Sequence, residues 1–390
     1  GHGHAHGHGG LDLMSKRTHK VIFAAGGTGG HLFPAQALAQ QLLKKKANVE
    51  LLFAGAKLTD NVHFDKGKFS HRDITSGTPF RRNVFKAMKS VGALLKGIWE
   101  SLALLKEQKP DLIIGFGSFH TFPLLCAAVI KKVPLILFES NSIPGKVIRL
   151  FSKKAVVTAI YFAEAKHHLK GTSVEVEIPV NNPESRRLVA QEEARHQLRL
   201  DSDLPTLLVF GGSQGAKQIN QHMIHLLPLL KKEKNSFQLI HLTGSEETAK
   251  EVQLLCESLN IPCYTKKFET QMDLVWSAAD IAICRSGAMT LSELLHYEVP
   301  AILIPYPFAA DQHQLKNAQF LQQTVGGAIH YPENSLSPSI LADTVHRLIR
   351  LNSPERLKMK NGIKAFKTQQ KKEDLGNLIM KTLESVCDLN

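Results

Sequence analysis

The sequence predicts an α/β protein of two doubly wound parallel-sheet domains. Three observations predict it. Apolar runs of strand length alternate with segments of helical period, strand-to-helix junctions carry glycine, and the plan of the first half is repeated in the second. The 390 residues exceed what one hydrophobic core usually serves, and an apolar fraction of 43% suits a globular chain.

The elements follow in order. KVIFAA, residues 20–25, reads as a buried strand. A helix starting near Pro34 follows it, with Ala35, Leu38, Ala39 and Leu42 at the i, i+3, i+4, i+7 spacing, because proline suits a first helical position. VELLFAG (49–55), DLIIGFG (111–117) and VPLILFES (133–140) are further strands, with TFPLLCAAVI (121–130) as a helix between the last two. Strand, helix, strand in succession implies right-handed crossovers and parallel pairing. In the second half TLLVF (206–210) leads into GGSQGAKQIN and a helix with Ile219, Met223, Leu226, Leu227 and Leu230 on one face. FQLIHLTG, IPCYTKKF, DIAIC and AILIPYP supply strands, and QMDLVWSAA and MTLSELLHY supply helices.

Residues 1–13 alternate Gly and His ahead of Met14 and read as an expression tag, outside any metal-site reasoning. The first domain is expected over 14–178 and the second over 179–366, with the boundary in EIPVNNPESRR, where prolines and asparagines interrupt the periodicity. The terminal helix, within 367–390, is expected to return to the first domain. Ligands of open parallel sheets bind at the carboxyl ends of strands, which predicts a site in a cleft between the two domains.

Charge is divided unevenly. Met14–Val180 holds 25 Lys and Arg against 11 Asp and Glu, whereas residues 181–390 hold 23 of each. A basic half points to a polyanionic partner, nucleic acid or an anionic membrane surface, against the plainer reading of a solvated basic face. Five cysteines without a CxxC pair, and no secretory leader, predict a reduced cytosolic setting. The longest apolar stretch ends at Lys131, so a membrane contact is expected to lie on the surface rather than to span.

Three glycine turns carry the binding chemistry: AAGGTGGH (24–31), FGGSQGA (210–216) and CRSGAMTLSE (284–293). Glycine admits positive φ and close approach of a ligand, and the free amides of a helix N-terminus then meet an anion. A single such turn is as often a structural bend; three at corresponding places favour a diphosphate. Neither GxGxxG nor GxxxxGK[ST] is satisfied, which disfavours a dehydrogenase and a P-loop NTPase. Glu293, two turns into the helix opened by RSGA, suits the vicinal hydroxyls of a ribose, against the alternative of an exposed helix glutamate. DQHQLKNA (311–318) adds polar groups after a strand, and DSD (201–203) reads as a solvated loop.

In this order and spacing, GGTGGHLFPA, GFGSFHTFP, ESNSIPGK, GGSQGAKQIN, CRSGAMTLSE and HQLKNA closely resemble the MurG family of glycosyltransferases. The resemblance implies the two-domain GT-B fold and inverting transfer of N-acetylglucosamine (GlcNAc) from UDP-GlcNAc. The acceptor it implies is the N-acetylmuramyl (MurNAc) C4 hydroxyl of undecaprenyl-pyrophosphoryl-MurNAc-pentapeptide, lipid I to lipid II. No cofactor or metal is implied. Ser213, Gln214 and Gly215 would meet the donor diphosphate, Gly287 and Ala288 the nucleotide, Glu293 the ribose, the backbone at Phe268 and Glu269 the uracil, and His313, Gln314 and Asn317 the sugar hydroxyls. Thr28, Gly29, Gly30, His31 and Asn141 would line the acceptor side. His31 is the candidate general base, against a diphosphate-binding or structural histidine. The chain departs from the family pattern at Phe119, Phe138, Ser140 and Asn181, each loss removing a polar group, with Arg186 or Arg187 a possible substitute for the last.

Residues 78–109 set Val84, Met88, Val91, Leu95 and Ile98 at helical spacing, rimmed by Arg81, Arg82, Lys86, Lys89 and Lys96, with Phe80, Phe85 and Trp99 nearby. This is the pattern of an interfacial helix, against a stripe packed into the core. The expected partners are the two substrates, the anionic cytoplasmic leaflet of a bacterial plasma membrane and other cell-wall synthesis proteins. Nucleic acid is not expected, since aromatic residues do not interleave with the basic ones in the cleft. Another UDP-sugar transferase of this fold and an inactive membrane scaffold are the rival readings.

Overall fold

The computed structural model describes residues 17–45, 48–78, 82–212, 216–232, 236–309 and 312–388. The chain forms two units, one ending at Asn181 and rejoined by the segment from Lys371, the other Asn182–Gln370.

The first unit begins with β1 (His19–Ala24) and α1 (Gly29–Lys44), followed by β2 (Val49–Gly55), β3 (His71–Asp73) and α2 (Val84–Gln108). It continues through β4 (Leu112–Gly115), α3 (Phe122–Ile130), β5 (Leu135–Glu139), α4 (Lys146–Phe151), β6 (Val157–Ile160) and β7 (Ser173–Glu175). The seven strands are parallel, in the order β3-β2-β1-β4-β5-β6-β7. The strand order reverses between β1 and β4, which pair from Val21–Leu112 to Ala24–Gly115, and a ligand crevice opens at such a reversal. Ile22, Ile113, Leu124, Leu125, Leu135 and Leu137 pack the core beneath.

The second unit runs α5 (Gln191–Gln197), β8 (Thr206–Phe210), α6 (Ala216–Lys231), β9 (Gln238–Leu242), α7 (Glu246–Ser258), β10 (Cys263–Lys266), α8 (Met272–Ala278) and β11 (Ile281–Cys284). Then come α9 (Ala288–Tyr297), β12 (Ala301–Leu303), α10 (His313–Gln319), β13 (Ala328–His330), α11 (Pro338–Ile349) and α12 (Pro354–Thr368). Its parallel order, β10-β9-β8-β11-β12-β13, reverses between β8 and β11. Leu207, Val209, Met223, Leu226, Leu230 and Ile283 form its core, with the whole predicted apolar face of α6 buried.

A final helix, α13 (Leu375–Asp388), belongs to the first unit. The strand of chain before it is tied to β7 and its sequel: Glu373 N–H donates to Glu175 O (2.9 Å) and Glu177 N–H to Glu373 O (3.1 Å).

One expectation is corrected. α1 starts at Gly29, five residues before Pro34, which lies inside the helix. The Ala35–Leu42 spacing marks the buried face of α1, while glycine's poor helix propensity concealed its first turn. The glycines are therefore the helix N-terminus itself, with their amides at its open end.

Candidate active site

In the first unit, three loops leave the carboxyl ends of the neighbouring strands β1, β4 and β5. The first turns at Gly27, whose φ of +88° suits glycine. Thr28 caps α1 through its backbone, its carbonyl accepting from the N–H groups of His31 and Leu32, both at 3.1 Å. The close approaches explain the other glycines: a Cβ on Gly26 would stand 2.6 Å from His120 Cβ, and one on Gly29 2.6 Å from the Phe33 ring. Thr28 and Gly30 are exposed and His31 is half-buried.

The second loop holds two consecutive left-handed residues, Gly117 (φ +93°) and Ser118 (φ +77°). It closes on the first. A Cβ on Gly117 would meet the His31 ring at 3.4–3.5 Å, so that ring lies against the bare backbone of Gly117. His31 Nδ1 is 3.3 Å from Thr28 Oγ1, which fixes the other edge of the ring. His120, a residue sequence reasoning missed, sits beside this junction with Nδ1 2.7 Å from Ser118 Oγ. Burial, helped by the Lys57 charge, lowers its pKa, so it is a neutral imidazole next to the glycine turn. Its signal was present in GFGSFHTFP, but a single histidine among apolar residues is an ordinary core residue in sequence.

The third loop wraps Glu139, at the end of β5. The buried carboxylate accepts from Gly145 N–H (2.7 Å), Asn141 N–H (3.2 Å) and Asn141 Nδ2 (3.5 Å). Burial raises its pKa to about 7 against these hydrogen bonds. Asn141 is thus set in place by Glu139. Two of the family departures have become packing: Phe138 is buried edge-on to Phe116 (5.9 Å), and Phe119 lies on Phe122 (5.9 Å).

In the second unit the turn after β8 is close-packed, since a Cβ on Gly211 would lie 2.2 Å from Ala216 Cα. Ser213, Gln214 and Gly215 fall outside the described residues, as do Phe80 and Arg81. After β11, Gly287 caps α9 with extended backbone and Ala288 opens it. Glu293 is half-buried on α9, its Oε2 accepting from Trp276 Nε1. Burial raises its pKa, opposed by the Arg186 charge and by the Trp276 bond. Trp276 is itself locked between Phe210 (5.5 Å, edge-on) and Tyr297 (6.2 Å, stacked). Arg186 reaches α9 through Ser292 Oγ (3.1 Å), whereas Arg187 is committed to Asp273 (3.0 Å). Of the two arginines offered in place of the one missing at Asn181, Arg186 is the one that reaches α9.

His313 and Gln314 open α10, and Asn317 follows one turn later. Asn317 is wholly buried and donates from Nδ2 to Ser286 O (3.1 Å), while Gln314 Oε1 accepts from the N–H groups of Ser286 (3.1 Å) and Tyr306 (2.9 Å). Both brace the turn that opens α9, and buried amides cannot be spared from such bonds cheaply. Phe268 is exposed at a groove of about 750 Å³ also lined by Lys250, Leu254, Lys266 and Lys267. Glu269 is held by Tyr264 Oη and by Thr270 N–H (3.0 Å), which shapes the backbone after β10. DSD closes on itself, Asp203 N–H donating to Asp201 Oδ1 (2.8 Å).

The predicted interfacial stripe faces solvent. α2 buries Ser90, Leu94, Gly97, Ser101, Leu104 and Leu105 and exposes Val84, Phe85 (83%), Met88, Val91, Leu95 and Trp99 (74%). Arg82, Lys86, Lys89 and Lys96 are exposed around them, and Ile98 is half-buried. No described helix is long and apolar enough to cross a membrane.

The family model for the N-terminal domain of glycosyltransferase family 28 matches residues 21–160, and that for its C-terminal domain residues 206–375. A Protochlamydia amoebophila protein is 40% identical over 372 residues, covering 95% of this chain and 97% of its own. It is named as the UDP-N-acetylglucosamine–N-acetylmuramyl-(pentapeptide) pyrophosphoryl-undecaprenol N-acetylglucosamine transferase. A Chlamydia pneumoniae protein of the same name is 33% identical, with 92% and 96% covered. Among solved structures, Acinetobacter baumannii MurG matches with a TM-score of 0.74 at 24% identity, over 94% of this chain and 99% of that one. A UDP-glucose:anthocyanidin 3-O-glucosyltransferase with UDP matches at 0.63 and 14%, which shows the shared fold alone.

Proposed function

The chain belongs to glycosyltransferase family 28, in its MurG branch, and on that premise we propose how its own residues perform the transfer. The enzyme moves N-acetylglucosamine from UDP-GlcNAc to the MurNAc C4 hydroxyl of undecaprenyl-pyrophosphoryl-MurNAc-pentapeptide, converting lipid I to lipid II for peptidoglycan. The observation that carries the reading is a matched pair of helix starts. α1 opens on Gly29 and Gly30 with an imidazole set beside it, and α9, capped by Gly287, carries a carboxylate about two turns in.

The acceptor diphosphate sits at the amides of α1, where free N–H groups and the helix dipole contribute about 0.3–2 kcal/mol toward a nearby anion. His31 takes the proton of the C4 hydroxyl as the oxygen attacks the anomeric carbon. The new C–O bond forms while the bond from that carbon to the β-phosphate oxygen breaks, so one displacement inverts the centre. UDP leaves with the extra negative charge, which the α9 amides and the glycine turn after β8 receive, while Glu293 holds the ribose. Gln314 and Asn317 contribute by keeping the turn at Ser286 in shape.

The acceptor is lipid-borne, and the exposed face of α2 suits it: six apolar side chains ringed by four cations. This face rests on the anionic cytoplasmic leaflet of the plasma membrane, and the protein is peripheral.

The test is transfer of labelled N-acetylglucosamine from UDP-GlcNAc to lipid I in detergent. Turnover dependent on both substrates supports the reading. Binding of UDP-GlcNAc with no transfer rejects it in favour of a scaffold, and transfer only to another acceptor rejects the acceptor assignment.

A further inference from the structure

At the end of the first sheet opposite the glycine turns, three side chains of metal-binding chemistry converge. His19 begins β1, Asp111 immediately precedes β4, and Cys387 lies in the last turn of α13. Cys387 Sγ is 3.4 Å from His19 Nδ1, across a sequence separation of 368, and His19 Nδ1 is 3.9 Å from Asp111 Oδ2. The three ligand atoms all lie within 4.8 Å of one another, and each residue is half-buried. We propose that His19, Asp111 and Cys387 bind one zinc-class divalent ion, which clamps the C-terminal helix to the first unit.

The donor set decides the class of ion. One thiolate sulfur, one imidazole nitrogen and one carboxylate oxygen suit zinc and its neighbours, and exclude magnesium and calcium, which take oxygen alone. Tetrahedral zinc, with Zn–S about 2.3 Å and Zn–N or Zn–O about 2.0–2.1 Å, sets ligand atoms about 3.3–3.6 Å apart. The present spacing, 3.9 Å from His19 Nδ1 to Asp111 Oδ2 and within 4.8 Å across the whole set, needs the carboxylate to move in by about 0.5–1.2 Å as the ion binds, and water completes the coordination. Asp111 is already oriented, because Lys20 N–H donates to its Oδ2 (2.9 Å). Arg17, 3.7 Å from Asp111 Oδ1, is exposed and can turn away as the ion enters. On binding, Cys387 releases its thiol proton to solvent and forms the metal–sulfur bond, so the thiol becomes a thiolate with no change of oxidation state.

The placement gives the ion a structural role. His19 lies on β1 and Asp111 immediately before β4, the strand paired with β1, while Cys387 is the far end of a segment anchored also by Glu373 at β7 and by Asp374, 3.1 Å from Lys45 Nζ. A bond at the distal end of α13 closes a long loop and keeps the helix from fraying. The site is remote from the glycine turns, so transfer itself does not require it.

The experiment is cobalt titration of the full-length chain under reducing conditions, followed in the near ultraviolet. The histidines of the N-terminal run can bind cobalt but cannot give a thiolate-to-cobalt charge-transfer band. The expected result is such a band saturating at one ion per chain, lost in Cys387→Ser and kept in Cys126→Ser, with affinity at least about tenfold weaker in His19→Ala and Asp111→Asn. Zinc should quench the band and raise Tm of the wild type but not of Cys387→Ser. No band in the wild type, or a band that survives Cys387→Ser, overturns the proposal. Because Cys387→Ser could disturb α13, Asp111→Asn is the second variant. Undiminished cobalt affinity in it, with the wild-type circular dichroism, overturns the proposal equally.

Discussion

Glu293→Gln should weaken UDP binding by roughly 10- to 100-fold while leaving the acceptor untouched. The magnitude follows from what the carboxylate does. A carboxylate can accept both vicinal hydroxyls of a ribose as charge-assisted hydrogen bonds, each contributing about 1.5–3 kcal/mol. Glutamine keeps one carbonyl oxygen, and Trp276 Nε1 already donates to Oε2, so the amide can serve the indole or the ribose but not both fully. Losing one charged bond costs about 1.5–3 kcal/mol, and 1.4 kcal/mol is a factor of ten. Trp276 stays wedged between Phe210 and Tyr297, so the fold should persist. The burial that raises the Glu293 pKa adds a second signature: UDP affinity of the wild type should fall on acidification from a higher pH than an exposed glutamate would give. Titration calorimetry with UDP across pH measures both. A dissociation constant within twofold of wild type, with the same pH profile, would refute the ribose assignment.

Three other outcomes are expected. His31→Ala should lower kcat about 100-fold or more with UDP affinity unchanged; near-normal kcat with a raised acceptor KM would make the residue a diphosphate ligand instead. Glu139, with a folded pKa near 7 against 4.5 unfolded, holds a proton in the native state that the unfolded chain has lost. Its contribution is fully favourable at low pH and fades as pH rises from 4.5 through 7, by up to about 3 kcal/mol. Glu139→Gln should flatten that slope in urea denaturation series, and an unaltered slope would show that Glu139 is ionised throughout. Reversing Arg82, Lys86 and Lys89 to glutamate should abolish sedimentation with anionic liposomes, a loss of about 1 kcal/mol for each cation removed. Binding that ignores lipid charge would disprove the interfacial role of α2.

KVIFAA, DLIIGFG and VPLILFES read directly because a central parallel strand is a continuous apolar run. β3, β7 and β13 escaped detection because they are three residues long and at the sheet edges, where half-exposed residues break the run. β6 escaped although wholly buried, because its four residues include Thr158 and Ala159 and make too short an apolar run. Glycine cut both ways, since it announced the turns and disguised the first turn of α1 as loop.

The candidate site was legible wherever its chemistry is local and invisible wherever it is made by contact between loops. A glycine turn followed by a helix carries its own signal, so the turns at 24–31 and 284–293 could be read from spacing, while the parts of Gly29, Gly30, Gly287 and Glu293 within them came from the resemblance. Nothing in the spacing says that Gly117 is bare so that the His31 ring can lie on it, or that Glu139 holds Asn141 by its backbone. Asn317 shows what spacing leaves out: its place soon after a strand is legible, but not that its buried amide donates to Ser286 O in the turn before α9. The same reasoning separates the two arginines after the domain boundary: adjacent in sequence, Arg187 is paired with Asp273, while Arg186 reaches Ser292 on α9 and its charge opposes the burial of Glu293.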